Sequence, residues 1–378
     1  MNKNKTKKIL LCFGTRPEAI KMCTLIHKLK EVEHNIIKVC VTAQHREMLD
    51  QVLSFFDVVP DYDLDIMKSN QSLNELSSRI LSKMDQVLMD FEPDLVLVHG
   101  DTTTSTICAL AAFNRSIQIG HVEAGLRTYN KWSPFPEEIN RQLTGKLADY
   151  HFAPTDTSRN NLLSEKVNAD SIVVTGNTVI DSLLWTVDKL NNNFENETIN
   201  GLKSQIDFTK KVILVTGHRR ENFGEGVINL CDSLKNLASR GDVEIVFPVH
   251  LNPNVLKPVR ESLGDSTNIH LIAPLDYVSF VWMMTHSCII ISDSGGVQEE
   301  APSLGKPVLV TRDTTERPEA VDAGAVKLVG SDAQVILKYA NELLDFPDKY
   351  AEMSEVINPY GNGTACAQIV KFIEEKIV

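Results

Sequence analysis

Four short stretches of this sequence combine reactive or anion-binding residue types with positions where such groups could work. The first is Phe13-Gly14-Thr15-Arg16-Pro17-Glu18, with Lys21 one turn further on. An apolar run ends, a glycine turns the chain, and Pro17 pre-sets the first turn of a helix. The N–H groups of a helix start and the fork of Arg16 suit a phosphate or a carboxylate. A plain strand-to-helix turn with a surface arginine would use the same residues. The second stretch runs from Ser292 to Glu300 and contains Ser294-Gly295-Gly296. Two glycines let a diphosphate approach the backbone, and Glu300 falls where a carboxylate could accept from ribose hydroxyls. A helix rarely needs two consecutive glycines merely to start. The third is Gly217-His218-Arg219-Arg220, three cationic side chains after a buried strand end. It reads as an anion site, or as a solvated basic turn.

The fourth is a set of carboxylates. Asp101 follows LVLVHG, Glu123 follows GHV, and Glu137 lies in SPFPEE, four residues before Arg141. Acid/base catalysis needs carboxylates held in partly desolvated places so that their pKa values separate. Each also has a structural reading. Asp101 before three threonines is a good helix N-cap, and Glu137 after Pro136 is an ordinary first-turn acid.

The elements that must position these residues are legible in the apolar pattern. Short β-branched runs recur at 8–13, 36–42, 95–98, 117–122, 151–153 and 172–175, then at 212–216, 244–249, 269–273, 289–292, 308–311 and 326–329. Most are continuous rather than alternating, as in strands buried on both faces. Helical patterns lie between them at 18–30, 46–55, 73–91, 104–114, 227–239, 297–304 and 333–344. This alternation implies an α/β chain with parallel sheets covered by helices. Twelve strands suit two six-stranded sheets. The polar stretch 191–211, containing NNNFENETING, reads as a loop or linker at the seam, with the functional boundary near Gly176. Both halves open alike, with a strand running into Gly14-Thr15-Arg16 and another into Gly217-His218-Arg219. Ligands of such sheets bind beyond the carboxyl ends of the strands, where all four stretches fall.

Bulk properties narrow the field. The 378 residues are 43% hydrophobic, which fills two cores, and the net charge of −12 argues against nucleic-acid or anionic-membrane partners. Seven cysteines without a C-x-x-C read as reduced core residues in a cytoplasmic protein. No apolar run has the length of a membrane span, and the apolar segment after MNKNKTKK is too short for a signal peptide. Neither the dinucleotide fingerprint G-x-G-x-x-G nor the P-loop follows a strand, so neither an NAD site nor a P-loop nucleotide site is expected. No histidine pair has helical metal spacing, and Asp61-Tyr62-Asp63-Leu64-Asp65 reads as a solvated loop rather than a metal-binding D-x-D.

Nine ordered blocks carry a family resemblance. FGTRPEAIK at 13–21, TAQHREMLDQVL at 42–53, VHGDTTT at 98–104, GHVEAGLRT at 120–128, PEEINRQLTG at 136–145, TGHRREN at 216–222, PVHLNP at 248–253, DSGGVQEEAPSLGKPV at 293–308 and RDTTERPEA at 312–320 resemble the non-hydrolysing UDP-N-acetylglucosamine 2-epimerases. The resemblance implies two Rossmann-like domains of the glycosyltransferase-B and glycogen-phosphorylase type with a cleft between them. Residues 1–176 would form the first, 177–363 the second, and a helix over 364–378 would return to the first. It implies reversible epimerisation at C2 of UDP-GlcNAc to UDP-ManNAc through 2-acetamidoglucal, with no cofactor and no metal. Asp101, Glu123 and Glu137 are then the acid/base set, Arg141 orients or charges it, and a protonated His218 holds the departing phosphate. Arg16, Lys21, Phe280, Ser294, Gly295, Gly296, Glu300 and Arg317 bind the UDP-sugar, together with Asp101, Glu123 and His218. Gln44, His45, Arg220 and His250 match a second, activating UDP-GlcNAc site of some members, although Glu47 and Asn70 depart from that pattern. Relatives are commonly homodimers. The competing readings are a hydrolysing epimerase releasing ManNAc and UDP, a glycosyltransferase of the same fold, and a UDP-sugar sensor without catalysis.

Overall fold

A computed structural model of the protein describes residues 6–43, 46–68, 70–192, 194–217 and 224–377. Its contacts divide the chain into two units, one of Met1–Ser182 with Tyr360–Val378 and the other of Leu183–Pro359.

The first unit is built on seven parallel strands: β1 (Lys8–Phe13), β2 (Ile36–Val41), β3 (Tyr62–Asp63), β4 (Leu95–His99), β5 (Gln118–Val122), β6 (Tyr150–Ala153) and β7 (Ile172–Val174). Their order across the sheet is β3-β2-β1-β4-β5-β6-β7. The chain winds outward from β1 in one direction, then restarts at β4 on the other side. The ends of β1 and β4 therefore flank a topological switch point, where an open sheet leaves a crevice. Gly14 to Glu18 and Asp101 follow those two strands, and Glu123 follows β5. Residues Ile9 to Phe13 and Leu95 to Val98 are fully buried, as strands covered on both faces must be.

The second unit repeats the plan with β8 (Lys211–Thr216), β9 (Val243–Pro248), β10 (Ile269–Ile272), β11 (Ile289–Ser292), β12 (Val308–Val310) and β13 (Val326–Leu328). Their order is β10-β9-β8-β11-β12-β13, again all parallel. Its switch point lies between β8 and β11, so Gly217 and Asp293 follow the two central strands. The related openings of the two halves thus correspond to one winding order used twice.

Two expectations are corrected. The first sheet has seven strands rather than six, because Tyr62 and Asp63 pair with Cys40 and Val41 as a short edge strand. The carboxylate of Asp61 accepts from the Val39 N–H, and Arg46 pairs with Asp63 and Asp65, which fixes this D-x-D run against the sheet. The polar stretch 191–211 is not all loop: Glu197–Gln205 is a helix. Asn196 caps it by accepting from the Ile199 N–H, and Ile199, Leu202 and Ile206 are buried at helical spacing. A run of asparagines and glutamates hides so short an apolar stripe.

Helix Ala365–Lys376 packs on helix Arg16–Lys30 within the first unit. The carboxylate of Asp181 accepts from the N–H groups of Ala365 and Cys366, and Glu374 pairs with Lys7 and His34. All seven cysteines are free thiols, and all except Cys288 are buried. Among the described residues no helix is long and apolar enough to cross a membrane.

Gly125 shows how tightly the turn after β5 is set. Its φ is +94°, and a β-carbon there would lie 2.3 Å from the carbonyl oxygen of Ser158. A Gly125→Ala variant is expected to lose at least about 2 kcal/mol, from left-handed strain added to a backbone clash. Urea unfolding should show a lower midpoint at unchanged slope; an unaltered midpoint would contradict this close approach.

Candidate functional site

In the first unit the residues singled out from the sequence converge on two carboxylate–cation pairs. Asp101 follows β4 and pairs with Arg141, whose guanidinium lies 2.5 Å from Oδ2. Helix Glu137–Leu147 brings Arg141 to this point, and Asn140 from the same helix donates to the Asp101 backbone carbonyl at 2.9 Å. Burial pushes the Asp101 carboxyl above its usual range; the Arg141 charge opposes that, while the Glu123 and Glu137 charges add to it. A quarter of the Asp101 side chain stays exposed, so the group is desolvated but reachable.

Glu123 follows β5 in a left-handed backbone conformation, φ +62°, which costs a non-glycine residue about 1 kcal/mol or more. That conformation turns its side chain into a buried cluster. Lys21 pairs with Oε1, Asn177 donates to the same oxygen at 2.9 Å, and His99 Nε2 lies 3.6 Å from Oε2. Burial holds His99 down to about 4, so it is neutral at physiological pH, with Glu123 opposing the shift and Lys21 adding to it. Lys21, which the resemblance gives to the substrate, is thus engaged by Glu123 in this structure.

The helix that begins at Arg16 does not present its whole N-terminus to a ligand. Glu18 reaches back, and its Oε2 accepts from the Gly14 N–H at 3.0 Å, the Thr15 N–H at 2.8 Å and the Thr15 hydroxyl at 2.8 Å. Its Oε1 accepts from Thr102 Oγ1 at 2.7 Å. A capping box thus occupies the Gly14 and Thr15 N–H groups, which lie just before the first helical residue. What remains there is the half-buried Arg16 at the first helical position. Sequence reasoning misses this role of Glu18; its place three residues after Thr15 is the available sign.

Glu137 and Glu138 are separated by their surroundings. Glu138 is fully buried, with Oε2 accepting from Thr128 N–H at 3.0 Å and Oε1 from Tyr129 N–H at 3.0 Å and Gln142 at 2.7 Å. Burial raises it, but these donors and Arg141, 3.4 Å away, outweigh that and leave it below the usual range. Arg141 therefore pairs with Glu138 and Asp101, not with the Glu137 four residues before it. Glu137 is half-buried and close enough to raise Asp101 electrostatically.

In the second unit, Ser292 at the end of β11 shares a hydrogen bond of 2.6 Å with Thr216 at the end of β8 and accepts from the Ser294 N–H at 3.0 Å. This locks the two central strand ends together. Helix Gly295–Glu300 starts there, and a β-carbon on Gly295 would meet nothing within 4 Å, so the backbone is open to approach. The Glu300 carboxylate lies about one turn in, 4.0 Å from where a β-carbon on Gly296 would be. Arg317 pairs with Glu299, and its N–H donates to Thr315 Oγ1, which in turn donates to Gln298. Phe280 is half-buried in helix Tyr277–His286. His250 is exposed, and its Nδ1 accepts from the Asn252 N–H. Gln44, His45, His218 and Arg220 lie outside the described residues. Among those described, no cluster of histidine, cysteine or carboxylate side chains could hold a metal ion.

A family model described as UDP-N-acetylglucosamine 2-epimerase matches residues 27–374. The chain is 55% identical over 372 residues to the UDP-N-acetylglucosamine 2-epimerase of Salmonella typhimurium, covering 97% of this chain and 98% of that one. It is 54% identical over 373 residues to the protein of the same name from Campylobacter jejuni, covering 97% of each. Among solved structures it is similar to UDP-GlcNAc 2-epimerase from Neisseria meningitidis bound to UDP-GlcNAc, with TM-score 0.88, 54% identity and coverage of 98% and 100%. It is also similar to the Methanocaldococcus jannaschii UDP-GlcNAc 2-epimerase in complex with UDP-GlcNAc and UDP, with TM-score 0.78, 33% identity and coverage of 97% and 99%.

Three buried histidines around the acidic site make the first unit sensitive to acid. Burial is the main cause in each case, holding His99 and His151 down to about 4 and His121 to about 3, from an ordinary 6.5. An unfolded chain binds these protons first, so the stability is fully present above about pH 6.5 and is lost as pH falls from there toward 4. The melting temperature should fall across that window. His121→Gln, which keeps a donor for the Gly100 carbonyl that His121 Nε2 contacts at 2.7 Å, should fall less steeply. An identical slope in that variant would remove His121 from the account.

Proposed function

The chain belongs to the UDP-N-acetylglucosamine 2-epimerase family, and from that premise we propose that it interconverts UDP-GlcNAc and UDP-ManNAc by eliminating and re-adding UDP, without net hydrolysis. The observation that carries the reading is the Asp101–Arg141 pair beside Glu123 and Glu137, a carboxyl raised by burial and by two further carboxylates yet still accessible.

The chemistry explains the need for such a group. The C2 hydrogen of the sugar has no adjacent carbonyl, so a carboxylate alone does not remove it. When the C1–O bond breaks, its electron pair leaves with the UDP phosphate and positive charge grows at C1. That acidifies the C2 hydrogen, a carboxylate takes the proton, and a C1=C2 double bond forms. Reversal with proton delivery to the opposite face of C2, and return of the phosphate oxygen to C1, gives the epimer. Two acid/base groups of different proton affinity are required, one for each face. Asp101 and Glu123 supply a contrast of surroundings, and Glu137 supplies a third carboxylate nearby. Glu138 is excluded from proton transfer by its four polar partners.

The leaving diphosphate needs cations and N–H donors. The turn Ser294-Gly295-Gly296 receives it, with Arg16 and His218, and Glu300 accepts from the ribose. Lys21 and Arg317 act through Glu123 and Glu299 in the form seen here. The enzyme works in the cytoplasm, a reading that the seven free thiols support. A second UDP-GlcNAc acts as an activator through Gln44, His45, Arg220 and His250.

Proton NMR of UDP-GlcNAc with the enzyme in deuterated water should show UDP-ManNAc with deuterium at C2 and no accumulating free ManNAc. Accumulation of ManNAc and UDP would establish the hydrolysing reading, and absence of C2 exchange would leave only a transferase or a sensor. Asp101→Asn, Glu123→Gln and Glu137→Gln should each slow turnover by at least ~100-fold, and a near-normal rate would remove that residue from the set. The rate should rise sigmoidally with UDP-GlcNAc, and Gln44→Ala should make it hyperbolic; a hyperbolic parent would end the activator proposal.

A further inference from the structure

We propose that Asn177 is a positioning residue for the Glu123 acid/base group, holding its carboxylate from the point where the two chain connections between the units cross. The inference rests on the role proposed above for Glu123.

Asn177 is only 2% exposed, and three of its bonds run in different directions. Its Nδ2 donates to Glu123 Oε1 at 2.9 Å. Its Oδ1 accepts from the Val179 N–H at 3.1 Å, capping helix Thr178–Asn191. Its backbone N–H donates to the Tyr360 carbonyl at 2.7 Å. The outgoing connection runs through that helix, and the returning one enters the first unit at Tyr360. The two backbones meet closely: a β-carbon on Gly176, φ +85°, would lie 3.0 Å from the Tyr360 oxygen and 3.3 Å from Gly361 Cα. Tyr360 itself is 1% exposed, so the crossing is anchored in the core. One residue thus joins a capped helix, through its side chain, and the returning segment of chain, through its backbone N–H, to a carboxylate whose own backbone is left-handed.

A cap alone needs only the oxygen of Asn177; the nitrogen serves Glu123. An amide is suited to this double task, because it carries one acceptor for the helix and one donor for the carboxylate. The donor adds to Lys21 in favouring the ionised form of Glu123 and in aiming Oε2 toward His99 and the site. Among the described residues, the charged or titratable groups around Glu123 include Lys21 from helix Arg16–Lys30, His99 from β4 and Asp101 from the following turn.

The test is Asn177→Asp. Aspartate keeps the cap, the size and the backbone bond to Tyr360, and replaces the donor with a second carboxylate facing Glu123. The melting temperature should fall, because the new carboxylate is buried against Glu123; read well below it, kcat falls by about tenfold or more and the pH limb assigned to Glu123 moves upward by about one unit, with KM less affected. Asn177→Ser, which keeps a capping oxygen but not the reach to Glu123, should lower kcat with a smaller limb shift. A parent-like pH profile and kcat in both variants, or a loss of activity only in proportion to a loss of fold, would overturn the proposal. Glu123→Gln measured alongside separates the two levels. If it is active, the role of Glu123 fails; if it is inactive while Asn177→Asp behaves as the parent, only the positioning role fails.

Discussion

Taking a carboxylate out of water is costly unless a cation or several N–H donors meet it, and the first unit is organised around that constraint. Asp101, Glu123, Glu138 and Glu18 all sit at or near the carboxyl ends of its central strands, and each is met differently. Asp101 has one guanidinium and partial exposure. Glu123 has an ammonium and an amide. Glu138 has two backbone N–H groups, an amide and the same guanidinium. Glu18 has two backbone N–H groups and two hydroxyls. The more completely a carboxylate is satisfied, the less use it has as an acid or base. The sparsely partnered Asp101 is one that burial leaves raised. Glu18 is raised by burial as well, despite its four donors, whereas Glu138 is held below the usual range.

The second unit applies the same winding order to a different end. Its central strand ends are tied by the hydroxyl groups of Thr216 and Ser292. The turn beyond carries two glycines and no crowded side chain, which leaves backbone N–H groups approachable. The acidic residues Glu299 and Glu300 lie behind it, and Glu299 is neutralised by Arg317. The duplication of one fold thus supplies two chemical environments from a single architecture.

Much of this architecture is legible in the amino-acid sequence. The continuous apolar runs locate all the long strands within about a residue or two, because a parallel strand buried on both faces admits few polar residues. Asp101, Glu123 and the Ser-Gly-Gly turn stand out because they follow such runs directly. The two-residue strand Tyr62–Asp63 and the helix Glu197–Gln205 do not stand out. The first owes its pairing to its neighbour β2 and to Arg46, and the second has an apolar stripe of only a few residues within a polar run.

The sequence by itself determined the family, the α/β class and the positions of the candidate carboxylates, since these depend on local composition and on order along the chain. Only the tertiary structure decided which partner each charged group takes. Lys21 goes to Glu123, 102 residues away, and Arg141 goes to Asp101, 40 residues away, rather than to the Glu137 on its own helix. Glu18 turns back on its own helix start, and Asn177 reaches Glu123 from the chain crossing. Charge is a property of a residue, but compensation of charge depends on what the winding of the sheet places within about 3 Å of it, and no spacing along the chain encodes that distance.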